Sequence, residues 1–293
     1  MPIVEMSAAD VSAWVPHAVE HMARVRVASG ALPERLASDY IARTRSLFRV
    51  GVPKDSRILT CPDTGDWMWL RTGGEPEIVG HRVTGSHRQW ADRALEAAGC
   101  QPVALTLHPG EGGLSEVAHR EISVQMSVAI PDLHLNRNYD DIYVRPMSAV
   151  ELDTFLEHTK SSASRHLEAA AGSCTRHSSW DVMARARSRL TDGLATPGHA
   201  LLSICVDTTT IGGIWAEVDG RNARVWNVYV YEGYRGHGHS RAALLAAADG
   251  LKNEGVKYMN VSVMSPNKAA IAIYESVGFT QISRQVVIEP QAA

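Results

Sequence analysis

The 293-residue chain is poor in several things. It has four cysteines, at 61, 100, 174 and 205, with no CxxC pair and no zinc spacing among them, so neither a disulfide framework nor a structural zinc site is expected. Aromatic residues make up 6%, with only three phenylalanines. The net charge is −3 and the pI is near 6.5. Such a balance disfavours a broad nucleic-acid or anionic-membrane surface. No apolar run approaches membrane-spanning length, and the start, MPIVEMSAAD, lacks a basic leader, so a cytoplasmic protein is expected. Lysine is scarce, at 54, 160, 252, 257 and 268 only, against many arginines and alanines, the habit of a GC-rich bacterial genome.

What is present is 45% hydrophobic and 21% charged sequence, enough for two domains with cores of their own. The chain also repeats itself. Met6-Ser7-Ala8 recurs as Met147-Ser148-Ala149, and Ala42-Arg43-x-Arg45-Ser46 as Ala184-Arg185-x-Arg187-Ser188. Trp69 then matches Trp215, Gly99 matches Gly255, and Ile122-Ser123-x-Gln125 matches Ile282-Ser283-x-Gln285. The offset grows steadily along this ordered series, which reads as a tandem duplication whose first copy is shorter. Each copy predicts a short strand, a helix capped by Ser7 or Ser148, a second Arg-rich helix (33–49, 178–191), and then strands alternating with helices. That alternation predicts an α/β (α+β) fold with a mixed central sheet. The expected domains are 1–135 and 140–293, joined through Ile130–Tyr139.

The densest information lies between Trp226 and Phe279. The alternating run Val225–Val230 leads through Arg235-Gly236-His237-Gly238-His239-Ser240 into an Ala/Leu-rich helix. Glycines between a strand and a helix leave backbone N–H groups aimed at one spot, where the helix dipole favours a pyrophosphate or other anion. Arg235 is placed to neutralise charge at the rim. Farther on come Val261 and Val263, Asn267, Tyr274 and Gly278-Phe279.

These two motifs, in this order, resemble the coenzyme A site of the GCN5-related N-acetyltransferases (GNAT). Their loop pattern Arg/Gln-x-x-Gly-x-Gly/Ala is matched by Arg235, Gly238 and Ser240, with serine in the last small position. The resemblance covers residues 140–290 and implies two tandem acyl-CoA N-acyltransferase folds. Acetyl-CoA would be the co-substrate, with no metal, and a small-molecule amine the acceptor, attacked directly in a ternary complex. It also implies contacts of Arg235, Gly236, His237, Gly238, His239 and Ser240 with the pyrophosphate. The thioester carbonyl would be polarised by backbone N–H between Val228 and Val230. Tyr274 would protonate the departing thiolate, the alternative being a packing aromatic. Asn267 either bonds the pantetheine arm or caps its helix. His237 and His239 are otherwise plain solvent-facing loop residues.

The family's usual strand carboxylate is missing from Trp226–Val230, leaving Glu217 as the nearest base, directly or through a water on Asn227. An acceptor of low pKa would need none. Trp215, Trp226, Tyr229 and Tyr231 are candidates for the acceptor pocket, with Trp226 expected on the opposite strand face from the two tyrosines. In the first copy Arg82–Arg88 aligns with Arg235–Arg241, but Val83 and His87 replace small residues, and His108–Gly113 replaces the tyrosine helix. That copy is therefore expected to be non-catalytic, and either a monomer or a homodimer fits an internal pseudo-dimer. The competing reading is a coenzyme-binding regulatory or scaffold protein that has lost catalysis. Transfer of another acyl group, including an aminoacyl group from tRNA, is a third.

Overall fold

The computed structural model describes residues 2–111, 113–117, 120–133, 142–170 and 188–290. The repeat positions 184–187, most of the second Arg-rich helix and Cys174 fall outside them. The chain divides into two compact units, residues 1–123 with 281–293, and residues 124–280.

In the first unit, β1 (Val4–Glu5) leads to α1 (Ala8–Ala28), a short 3-10 turn and α2 (Ala37–Ser46). Ser7 caps α1 as expected, its hydroxyl accepting from the Asp10 N–H. There follow β2 (Ser56–Cys61), β3 (Asp66–Arg71), β4 (Glu77–Arg82), α3 (His87–Ala97) and β5 (Val103–Leu107). The strands lie in the order β1-β2-β3-β4-β5, and next to β5 comes β12 (Thr280–Ile288), the last strand of the chain. β12 runs antiparallel to β5, Arg284 opposite Leu107 and Ile288 opposite Val103. Its alternate residues Val286 and Ile288 enter the core formed by Met68, Leu70, Trp90, Leu95 and Leu105.

The second unit takes β6 (Arg120–Ala129) as an edge, followed in space by β11 (Tyr258–Met264), β10 (Asn222–Val230), β9 (Thr209–Asp219), β8 (His199–Val206) and β7 (Ile142–Pro146). Val124, Met126 and Val128 of β6 alternate into a core with Val225, Val261, Val263 and Phe279. The helices are α4 (Ala149–Ala170), α5 (His239–Asn253) and α6 (Lys268–Val277). Ala243 and Ala247 of α5 pack on Ile204, Ile211 and Ile214, while Phe155 and Leu156 of α4 pack with Trp215 and Leu201. Residues 214 and 215 point to opposite faces, so α4 covers one face of this sheet and α5 the other.

The closing strand expected to finish the second copy therefore belongs to the first unit. Residues 124–133, expected to end the first domain and begin the linker, belong to the second. Ile130 and Leu133 are buried there, and the Ile130 N–H donates to the Lys257 carbonyl at 2.8 Å. Strand alternation is satisfied in either unit, so sequence periodicity does not distinguish the two routes.

Candidate coenzyme and acceptor site

β10 pairs in parallel with β11 only from Asn222 to Val225, opposite Tyr258 to Val261. On its other edge β10 stays paired with β9 as far as Val230, with the register shifting between Val225 and Asn227. Trp226 is the extra residue of this bulge, which bends the strand away from β11. The β11-facing edge of residues 227–230 thus loses its ladder at the place where Val228 and Val230 were expected to present backbone to a thioester. Gly212 makes the bend possible, because a Cβ there would collide with the Tyr229 carbonyl oxygen.

From Val230 a 3-10 turn, Glu232–Tyr234, feeds the loop. Gly236 (φ 84°) and Gly238 (φ 78°) are left-handed, and among the described residues nothing beyond their chain neighbours lies within 4 Å of where their side chains would be. Glycine at both positions serves a backbone path and leaves open space before it. The first hydrogen bond of α5 runs from the Ala242 N–H to the Gly238 carbonyl, so the N–H groups of His239, Ser240 and Arg241 precede the helical ladder. Arg235, expected to neutralise charge at the rim, also has a local task. Its Nε donates to the Val230 carbonyl at 2.9 Å, and its guanidinium lies 5.0 Å from the Tyr229 ring, so it staples the loop to the strand end. His239 Nδ1 donates to the Tyr234 carbonyl at 3.0 Å, and its ring stacks on His237 at 5.5 Å. His239 thus has a local structural task as well.

Asn267 Oδ1 accepts from the Ala270 N–H at 3.1 Å, which makes it the N-cap of α6. Tyr274 is 6% exposed and sits in one cluster with Val225, Val261, Val263 and the partly buried Val228, its ring edge-on to Phe279 at 5.2 Å. Burial pushes the phenol well above its ordinary value of about 10. The phenol is therefore protonated at rest, beside the splayed strands.

The α4 side of the sheet differs from expectation. Because of the bulge, Trp226 and Tyr229 pack against the same cluster, that of Phe155, Leu156 and Trp215, so they share a face. Simple alternation fails here because the extra residue inverts it. The Trp226 indole donates to Glu217 Oε2 at 2.8 Å and lies under the Arg189 guanidinium at 4.3 Å, while Arg189 also pairs with that carboxylate at 3.4 Å. Glu217 is therefore engaged twice. It lies opposite Arg224, where β10 and β11 are still zipped. Farther along the same face, His158 of α4 stacks on Tyr229 (4.9 Å, 19°) and packs on Tyr231 (4.9 Å), and Asn227 Nδ2 donates to Thr159 Oγ1 at 2.7 Å. His158 and Thr159 were not singled out from the sequence. The signal was there, since Leu152, Phe155, Leu156 and Thr159 share one helical face and His158 flanks it.

The first unit repeats this layout. Trp69 opposes Gly80 beside a bulge at Val79, as Trp215 opposes Asn227 beside the bulge at Trp226. β4 pairs with β5 only through Ile78, so these strands splay too. Only four residues, 83–86, then lead to α3, against eight, 231–238, before α5. Arg82 is the last residue of β4, opposite Trp67, and the left-handed position before α3 is Ser86 (φ 52°), which shifts the alignment of Arg82 with Arg235. The N–H and hydroxyl of Thr84 are tied to the buried Asp66, and His87 pairs with Glu116 at 3.1 Å at the start of α3. Beside the splay lie His81 and, on the segment after β5, His108 and Glu111.

Residues 166–279 match the Acetyltransferase (GNAT) family. This match supports a GNAT acetyltransferase, and it spans the loop, α5, β11 and α6. An uncharacterised N-acetyltransferase of Bacillus subtilis, YycN, is 27% identical over 153 residues, 48% of this chain and 93% of that protein. A GCN5-related N-acetyltransferase of Sphaerobacter thermophilus shares the fold over 99% of this chain and 96% of its own, with a TM-score of 0.57 and 14% identity. A fungal GCN5-related glucosamine N-acetyltransferase region has a TM-score of 0.50 over 98% of this chain and 38% of its own, at 12% identity. Among the described residues no helix is long and apolar enough to cross a membrane, and no group of three or more His, Cys, Asp or Glu is placed to hold a metal.

Proposed function

We propose that residues 124–280 transfer an acetyl group from acetyl-CoA to the amine of a small molecule, by direct attack in a ternary complex. The observation that carries this reading is the end of the β10–β11 ladder at Val225, followed by a loop whose left-handed glycines open onto the start of α5. Pantetheine would lie along the freed edge of residues 227–230, and the pyrophosphate would meet the N–H groups of Gly238, His239 and Ser240. The thioester carbonyl would take a backbone N–H between Val228 and Val230, a donor worth a few kcal/mol in the transition state. Tyr274 would hand its proton, or a hydrogen bond, to the thiolate as the C–S bond breaks. The two aromatic groups on the α4 face suit a small, flat or amphipathic amine better than a protein chain or a nucleic acid.

The first unit, in this reading, binds no coenzyme. Its loop lacks four residues and both left-handed glycines, and Glu116 places negative charge at the start of α3, where a phosphate would have to sit. Either a monomer or a homodimer is compatible with it. The test is calorimetry with acetyl-CoA on the wild type and on Gly238→Asp. One site per chain, lost in the variant, supports the proposal; two sites would restore a working first copy. Coenzyme binding without thiol release across an amine panel would leave the rival reading, a silent coenzyme-binding regulator, in its place.

A further inference from the structure

The proposed chemistry leaves the acceptor's proton without a recipient. A primary amine is mostly protonated at neutral pH, and attack on a thioester needs its neutral form. Glu217 is poorly placed for the task, for the two reasons above: Arg189 and Trp226 hold its carboxylate, and it sits where β10 and β11 are still paired.

Resting on the acetyltransfer reading, we infer that His158 is the base that receives the acceptor's proton. Its imidazole lies flat on Tyr229, the residue between Val228 and Val230, and against Tyr231, on the α4 side of the freed strand. Among the described residues no hydrogen-bond partner engages either ring nitrogen, and the residue is only partly buried, so a nitrogen remains available to a ligand. The charged and titratable groups around it are Tyr229 and Tyr231, Arg235 over the Tyr229 ring, and Glu151 on its own helix, which acts on Tyr231. Arg235 of the loop and His158 of α4 each contact the Tyr229 ring, and Arg235 holds its place through the Val230 carbonyl without His158.

The step balances without a further reactant. The amine lone pair forms the N–C bond, and an N–H proton passes to His158. The C–S electrons leave with the thiolate, which takes a proton from Tyr274 or water. His158 then returns its proton to solvent, and Tyr274, where it has given its proton, regains one from solvent.

The test measures thiol release from acetyl-CoA with a panel of primary amines: an alkylamine, an arylalkylamine, an amino sugar and a lysine peptide. Wild type, His158→Gln and His158→Ala are compared across pH, with coenzyme affinity followed by calorimetry. The expected result is unchanged coenzyme binding, kcat/KM lower by about 10²-fold or more, and loss of the ascending limb of the pH–rate profile. Raising the pH, or adding imidazole to His158→Ala, should restore part of the rate. A merely packing histidine would not respond to imidazole. Wild-type turnover with both variants keeping its rate and profile overturns this inference and leaves the acetyltransfer reading intact. No thiol release by the wild type with any amine overturns the acetyltransfer reading itself. If both variants lose coenzyme binding, a histidine-selective acylating reagent on the wild type decides. Turnover indifferent to the reagent is evidence against His158, and inactivation slowed by bound amine is evidence for it.

Discussion

The first unit should lose stability in mild acid through His81. Its side chain is 1% exposed, and neither ring nitrogen has a hydrogen-bond partner among the described residues. Burial, with His21, His108, Arg26 and His87 nearby, pushes its pKa down from 6.5 to about 4. The unfolded chain therefore takes up a proton near pH 6.5 while the folded chain refuses it until about pH 4. Stability is full above pH 6.5 and falls across that window, by about 3 kcal/mol if the whole shift is realised. His108, also pushed down to about 4 by burial, adds in the same direction. Glu111, whose oxygen lies 3.6 Å from His81 Nε2, acts oppositely. Its carboxyl is raised by burial, so part of the loss is returned as it protonates. The perturbation is His81→Phe, which keeps a ring and removes the titration. Hydrogen exchange of the β4 and β5 amides, with urea unfolding from pH 7 to 4.5, reads the first unit directly. The variant should match or exceed wild type at pH 7, since two buried orphan nitrogens are removed. Its decline between pH 6.5 and 4.5 should be visibly shallower. Equal slopes for the two proteins would refute the argument.

Three other outcomes are expected. Tyr274→Phe should leave coenzyme affinity and stability nearly unchanged, because the hydroxyl has no partner among the described residues, while acetyl transfer falls about 10²-fold or more; an unchanged rate would remove the acid role. Glu151→Ala should cost about 1–2 kcal/mol in urea unfolding. Glu151 accepts from Arg145 at 2.7 and 2.9 Å and from the Ser148 N–H and the Thr210 hydroxyl, closing the start of α4. Arg145 holds this carboxyl far below the usual range, so its contribution is present above about pH 4.5 and fades only in strong acid. Gly212→Ala should cost about 3 kcal/mol and weaken acetyl-CoA binding, since the new methyl meets the Tyr229 carbonyl beneath the splay. A fully stable variant with normal binding would show that the strand can shift freely.

Much of the fold was legible because local rules act alone in it. The Ser7 and Ser148 caps, the start of α5 after Gly238 and the cap of α6 at Asn267 follow from side-chain chemistry within four residues. Repetition of Trp69 as Trp215 pointed to a common layout, and both tryptophans do stand opposite a bulge. The bulge itself was not readable. It inserts one residue without a glycine or proline to mark it, and it moved Trp226 onto the face of Tyr229 against the expected alternation.

By itself, then, the sequence determined the mixed α/β class, the loop between β10 and α5 and the identity of its glycines, because those depend on backbone freedom and on periodicity. Only the tertiary structure decided which unit receives residues 281–288, since a strand with one apolar face satisfies its alternation equally well in either unit. It also decided the tasks of the polar residues. Glu217 is held by Arg189 and Asn227 by Thr159, and these partners are brought in by elements that pack from far along the chain. His158 became a candidate in the same way, by α4 crossing the strand at Tyr229.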